Sequence, residues 1–221
     1  MLLLQFSTSH YCRKARLALG YKNMDYRVEN LTPGVHVLKL KPLTGLTTVP
    51  VLLPEQETEP DAIADSTHIF RYLEKIKPNP TYTLTNPQEQ TQAELLEDWL
   101  DESIGTATRF VYYHFRANEG KSLDPSWFSM LVINVVRQQY GITPATVKLA
   151  ESRLETAFQV LQRWKDSPYL VGNALSIADL AAAALLSPLA RIPHYRDTYP
   201  WVFQRITEIH QQCNEALPPG L

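Results

Sequence analysis

Cysteine is the scarcest informative residue. Only Cys12 and Cys213 occur in 221 residues, which excludes a disulfide scaffold and any cysteine-rich metal spacing. Glycine is also scarce, with 8 against 16 prolines, and neither a dinucleotide-binding glycine fingerprint nor a Walker phosphate loop is present. The six histidines form no HExxH pair, so no metal site is expected. Charge of one sign is lacking: the formal net charge is −2, which argues against nucleic acid as a partner. Long apolar runs are missing too. The opening Met1–Leu4 breaks at Gln5, short of the roughly 7–15 apolar residues of a signal peptide. The run Leu180–Leu186 falls well below the roughly 18 residues that span a bilayer. A soluble chain in a reducing cytoplasm, with no membrane partner, is the expectation.

What is present is an apolar content of 44%, enough for a sizeable core in one or two domains. Leu2–Phe6 reads as a buried strand. A helix follows over Tyr11–Tyr21, with Cys12, Ala15, Ala18 and Leu19 on one side and Arg13, Lys14 and Arg16 towards the other. Asp25–Leu31 alternates like a strand. Pro33 opens a helical spacing of Val35, Leu38 and Leu40. Val49–Leu53 and, more weakly, Asp61–Ala64 read as strands, and Asp65-Ser66 precedes a helix carrying Ile69, Phe70, Leu73 and Ile76. After the stiff Lys77-Pro78-Asn79-Pro80 no strand pattern recurs. Helices are expected over Pro87–Asn118 as one long element, Pro125–Tyr140, Pro144–Lys165, Ser176–Leu186 and Tyr199–Cys213. An α/β unit is therefore followed by an all-helical one.

Several short motifs carry chemistry, each with a plain structural alternative. Ser9 stands at the N-cap of the first helix, with Tyr11 and Cys12 in its first turn; a helix N-terminus favours a thiolate, whether a protein cysteine or a bound thiol. Serine also caps simply because it caps. Pro50 opens a strand, where a cis bond would turn the backbone of Val49 outward towards a peptide-like ligand; a trans proline on an edge strand is the commoner solution. Asp65 and Ser66 join a carboxylate, a hydroxyl and free N–H groups, suited to an amino-acid head group or to capping alone. Ser176-Ile177-Ala178-Asp179 fits a capping box and reads as structural. Arg109, Tyr112, Tyr113 and Arg116 recur at helical spacing on one face, fit to line a cleft for an apolar or anionic substrate or to face solvent. Cys213 reads as a small packed residue.

The order of these signals resembles the cytosolic glutathione transferase superfamily. The motifs are the Ser9-His10-Tyr11-Cys12 turn, Val49-Pro50, Asp65-Ser66, the proline-rich linker and Leu170-Val171-Gly172-Asn173-Ala174-Leu175-Ser176-Ile177-Ala178-Asp179. The remaining stretches are most similar to bacterial, cyanobacterial-like members, with no class assigned. The resemblance implies a thioredoxin-like N-terminal domain over residues 1–78, a linker over 79–87 and an all-helical domain over 88–221. It implies glutathione as co-substrate, a hydrophobic electrophile as second substrate, a homodimer and a role in detoxification. The Val49–Pro50 bond should be cis, with the Val49 backbone on the cysteinyl part and Asp65 and Ser66 on the γ-glutamyl group. Lys41 or Thr48 would reach the glycyl carboxylate, although the run Lys41–Pro50 is longer than the family's usual Asn-Pro-x-Gly-x-Val-Pro. Counting back from Arg16, which matches the family's arginine anchor, Ser9 is the expected donor to the glutathione thiolate, with Tyr11 a nearby hydroxyl. Cys12 supports a second reading, a glutathione-dependent thiol transferase or reductase. A non-catalytic interaction module is the third.

Overall fold

The computed structural model describes residues 1–55 and 60–221. Four short strands, β1 (Leu2–Gln5), β2 (Arg27–Asn30), β3 (Val51–Leu53) and β4 (Ile63–Ala64), form one mixed sheet in the order β2-β1-β3-β4. β1 runs parallel to β2 and antiparallel to β3, which is itself antiparallel to β4. Three helices accompany the sheet: α1 (His10–Tyr21), α2 (His36–Thr44) and α3 (Ser66–Ile76). This is a thioredoxin-like domain, and all that follows in the described residues is helical: α4 (Pro87–Trp99), α5 (Gly105–Ala117), α6 (Trp127–Gln139), α7 (Pro144–Val160), α8 (Ile177–Leu185), α9 (Pro193–Thr198) and α10 (Pro200–Gln212). No described helix is long and apolar enough to cross a membrane.

β3 is paired on both sides, so Pro50 sits at the start of an inner strand rather than on an edge. It is tolerated because the ladder begins one residue later, at Val51. The expected strands and long helices are all present, but four details differ. The helix expected over Pro87–Asn118 is interrupted at Leu100–Ile104 by a π-helical turn between α4 and α5. α9 carries little apolar periodicity and escaped the sequence pattern. In α2 only Leu40 is buried, while Val35 and Leu38 face solvent, Leu38 at 79% exposure. Finally, Arg13, Lys14 and Arg16 do not form a solvated face. α1 packs against both α3 and α8, and all three cations are buried.

Burying those cations is tolerable only with partners. Arg16 Nε donates to Glu215 Oε1 at 2.6 Å and Nη1 to Gln5 Oε1 at 2.5 Å. Arg13 Nη1 reaches the Ala216 carbonyl at 3.4 Å and His210 Nε2 at 3.5 Å. His210 Nδ1 lies 2.7 Å from the Ile206 carbonyl, so the network assigns the proton to Nδ1 and leaves Nε2 to accept. The backbones also meet closely here. A Cβ on Gly20 would stand 1.9 Å from the Cys213 carbonyl oxygen, so this turn of α1 accepts only glycine.

Candidate functional site

Register brings three separated motifs to one end of the sheet. Leu4 faces Val51 across the β1–β3 ladder, so the chain leaving β1 towards Ser9 lies beside the chain entering β3 through Val49 and Pro50. Val51 also faces Ala64, which sets Asp65, the residue after β4, at the same end. The Val49–Pro50 peptide is cis, as the resemblance implied. The cap of α1, the backbone of Val49 and the cap of α3 thus share one rim.

Ser9 is half-buried and caps α1 by accepting the Cys12 N–H at 3.3 Å. That bond uses a lone pair, and the hydroxyl proton bears on the Cys12 thiol behind it, a weak acceptor that a bound thiolate can replace. Cys12 is 0% exposed and faces the core. Burial pushes its thiol up, against the opposing pull of the Ser9 hydroxyl and the Phe6 backbone. Tyr11 donates its hydroxyl proton to the Asp101 carbonyl at 2.7 Å, and burial pushes its pKa up to about 12. Of the three, Ser9 alone is neither fully buried nor tied to a backbone carbonyl through its hydroxyl. Gly105 provides the room for Tyr11: a Cβ there would meet the Tyr11 hydroxyl at 2.6 Å.

Asp65 is exposed and adopts a φ of 77°. A positive φ is uncommon outside glycine and costs on the order of 1–3 kcal/mol. It is held because Oδ1 accepts two N–H groups of the first turn of α3, from Thr67 at 2.8 Å and His68 at 3.2 Å. Oδ2 has no partner among the described residues. Ser66 is buried beside it. Lys41 and Thr48 are exposed around the end of α2, with no side-chain hydrogen bond among the described residues. A groove of about 500 Å³ lined by Leu43, Thr44, Leu46, Ala64 and His68 opens next to Asp65. A second cleft of about 380 Å³, between Lys165, Tyr199 and Trp201 of the helical domain, contains none of the site residues read from sequence.

Beneath the rim lies a buried charge cluster that sequence reasoning missed. Lys14 Nζ, 0% exposed, contacts Glu97 Oε1, Asp101 Oδ2 at 2.5 Å and Thr67 Oγ1 at 3.3 Å. Thr67 Oγ1 also donates to Glu97 Oε1 at 2.6 Å. One lysine therefore holds two carboxylates, and burial pushes Asp101 up to about 6 despite the lysine beside it. Asp101 Oδ1 is buried without a partner. The cluster ties both halves of the rim together: Thr67 presents its N–H to Asp65, and the Asp101 carbonyl anchors Tyr11. The available signal was a lysine in the middle of a helix otherwise rich in small apolar residues, and an acid pair at i, i+4.

The α5 residues do not behave as one face. Arg109 lies against the ring of Tyr11, with Cζ 5.4 Å from its centroid, which brings α5 to the rim. Tyr112 and Tyr113 meet edge to face at 5.6 Å. Arg116 is buried, and bonds to the Asp124 carbonyl, Ser129 Oγ and Tyr112 Oη.

Residues 3–81 match the family model described as the glutathione S-transferase N-terminal domain. A glutathione S-transferase domain-containing protein of Dictyostelium discoideum is 26% identical over 187 residues, covering 78% of this chain; the chain spans only 62% of that relative's length. A glutathione S-transferase from Rhodospirillum rubrum F11 superposes with a TM-score of 0.72 at 19% identity, over 99% of this chain and 94% of that one. The Methylobacterium radiotolerans enzyme in complex with glutathione sulfonate gives 0.73 at 19% identity, over 98% and 94%. The β-etherase LigF of Sphingobium sp. strain SYK-6 gives 0.73 at 18% identity, over 95% and 94%. The structural likenesses carry the fold. The domain match is confined to residues 3–81, so that segment is a glutathione S-transferase N-terminal domain, and the whole chain shares the fold of the solved glutathione S-transferases.

Proposed function

We propose that the protein is a glutathione transferase that stabilises the glutathione thiolate for attack on an electrophilic small molecule. The observation that carries this reading is the convergence of the Ser9 cap, the Val49–Pro50 peptide and the Asp65 cap on one sheet end. Residues 1–78 form the glutathione-binding unit in this proposal, 79–87 the linker and 88–221 the unit that holds the electrophile. The free Oδ2 of Asp65 and the Ser66 hydroxyl receive the γ-glutamyl amine and carboxylate, the Val49 backbone pairs with the cysteinyl part, and Lys41 and Thr48 stand towards the glycyl end. A homodimer acting in cytoplasmic detoxification completes the proposal on the family resemblance alone.

The thiol chemistry needs little machinery. A free thiol has a pKa of about 8.5, and lowering it by two units requires roughly 2.7 kcal/mol. A hydroxyl donating to a charged acceptor supplies about 1.5–3 kcal/mol. The α1 N-terminus adds about 0.3–1 kcal/mol. The sum suffices without a general base: the thiol proton leaves to solvent, and the sulfur attacks the electrophile held against α5. The thiol-transferase reading of Cys12 finds no support in a thiol that is fully buried and pushed up by burial.

Calorimetric titration with glutathione across about pH 6 to 9 tests the proposal. Binding accompanied by proton release is expected, and Ser9→Ala should move the midpoint of that release up by about one to two pH units. No binding overturns the transferase reading. Binding with an unshifted midpoint in Ser9→Ala removes Ser9 from the role.

A further inference from the structure

Three guanidinium groups surround the tyrosines of α5 without a carboxylate of their own. Arg109 is held between two rings, its Cζ 5.4 Å from the Tyr11 centroid and 4.5 Å from that of Tyr140, at the end of α6. Arg116 and Arg191 both direct Nη1 at Tyr112 Oη, each at 3.3 Å. Arg116 is 6% exposed and its Nε is buried without a partner. Among the described residues none of the three makes an ion pair. Of the nearby acids, Asp101 is held by Lys14, Asp124 accepts the Ser126 N–H through Oδ1, and Glu102 stands exposed on the π-helical turn with no ion pair to any of the three.

The buried cations of the N-terminal domain set the contrast. Lys14, Arg16 and Lys22 each have a carboxylate in contact, and Arg13 has the Ala216 carbonyl and His210 in its place. A cation withdrawn from water needs polar partners of this kind, and Arg109, half-buried, has none of them. Stacking satisfies only the faces of Arg109. Its five N–H donors lie in the guanidinium plane, and none of them bonds to a described residue. A planar fork of donors beside an aromatic wall matches a planar anion attached to an aromatic ring.

We propose that the second substrate is an aromatic electrophile bearing a carboxylate, with Arg109 as its anchor and the Tyr112–Tyr113 pair as the wall for its ring. This deepens the transferase reading and rests on it for the reaction. With an aryl chloride of this class the glutathione sulfur, its proton already lost to solvent, adds to the chlorine-bearing carbon. The C–S bond forms, the C–Cl bond breaks, and chloride leaves with the bonding pair.

The test compares para-chlorodinitrobenzoate with its methyl ester, which differ by one charge, in the wild-type protein, Arg109→Gln and Arg109→Lys. The wild type is expected to prefer the carboxylate. Arg109→Gln should lower kcat/KM for the carboxylate by about tenfold to a hundredfold, chiefly through KM, and collapse the preference over the ester. Arg109→Lys should keep part of it, because charge survives while the fork is lost. Equal rates with the two probes in the wild type overturn the inference, as does a preference unchanged in Arg109→Gln. Calorimetry with unreactive dinitrobenzoate separates the two readings. If benzoate binds through Arg109 while glutathione does not bind, the anion site stands and the transferase reading falls. If glutathione binds while benzoate does not, the reverse holds.

Discussion

Two helix caps in this chain look alike in sequence and differ in what they have left to offer. Asp65 heads α3 and Asp179 closes the capping box at the start of α8. Asp179 is 0% exposed and saturated: Oδ1 accepts Trp164 Nε1 at 3.1 Å and Leu170 N at 2.7 Å, and Oδ2 accepts the N–H and hydroxyl of Ser176, both at 2.9 Å. Asp65 is exposed and half-used, with two bonds on Oδ1 and none on Oδ2 among the described residues. A capping motif becomes a binding motif when acceptor capacity and access to solvent remain after the cap is made. The same rule separates the serines. Ser176 is buried and spends its proton on Asp179, whereas the Ser9 hydroxyl stays half-exposed with no carboxylate on it.

The same substitution at both caps is the sharpest way to break this contrast. Asp179→Asn must turn an NH2 group towards donors on whichever side it faces, losing about two hydrogen bonds to a charged group in a buried site. A stability loss of about 3–5 kcal/mol is expected, read from urea unfolding. An unchanged midpoint would show that Asp179 is not the structural cap.

Acid acts on the contacts between α1 and the helical domain. Burial pulls His10 down to about 3 and His210 to about 4, against an unfolded value of 6.5. Their stability is present above about 6.5 and lost as pH falls towards those values. Asp101 opposes them: with its pKa raised from 3.8 to about 6, its contribution is complete below the lower value and lost as pH rises through the upper. Two groups outweigh one, and stability should drop by about 2 kcal/mol between pH 7 and 5. The urea midpoint measured at both pH values checks it; a flat profile would mean that these histidines are not held neutral.

The smallest change in stability should come from Asp65→Asn. The amide keeps Oδ1 for the cap, tolerates a positive φ, and places its NH2 on the unused side. Thermal unfolding should move little, by less than about 1 kcal/mol. Glutathione affinity should fall about tenfold as the charge that meets the γ-glutamyl amine disappears. Equal affinities would take Asp65 out of the binding reading.

Much of the fold was legible because its elements bury one face. α3 shows this plainly, with Ile69, Phe70 and Leu73 buried at helical spacing. α1 misled because it is covered on more than one side, and a helix in that position places Arg13 against His210 and the Ala216 carbonyl, and Lys14 and Arg16 where Gln5, Glu97, Asp101 and Glu215 can meet them. Apart from Gln5, those partners lie far away in sequence, and no local pattern announces them. The rim of the site was legible as an order of motifs, since Ser9, Pro50 and Asp65 each leave a mark at an element boundary. Thr67 and Tyr140 left no such mark, because their roles come from what tertiary packing brings beside them.

The π-helical turn at Leu100–Ile104 has a consequence for the second half of that long rod. A regular α-helix advances 100° per residue, and a wider turn amounts to one inserted residue, roughly 100° of phase. Every side chain of α5 is therefore rotated about a quarter turn from where an uninterrupted helix begun at Pro87 would set it. The insertion acts as a dial between the two halves. Tightening it to a regular turn without a deletion would swing Arg109 away from the Tyr11 ring, whereas deleting one residue within it would restore a regular helix and leave Arg109 where it stands.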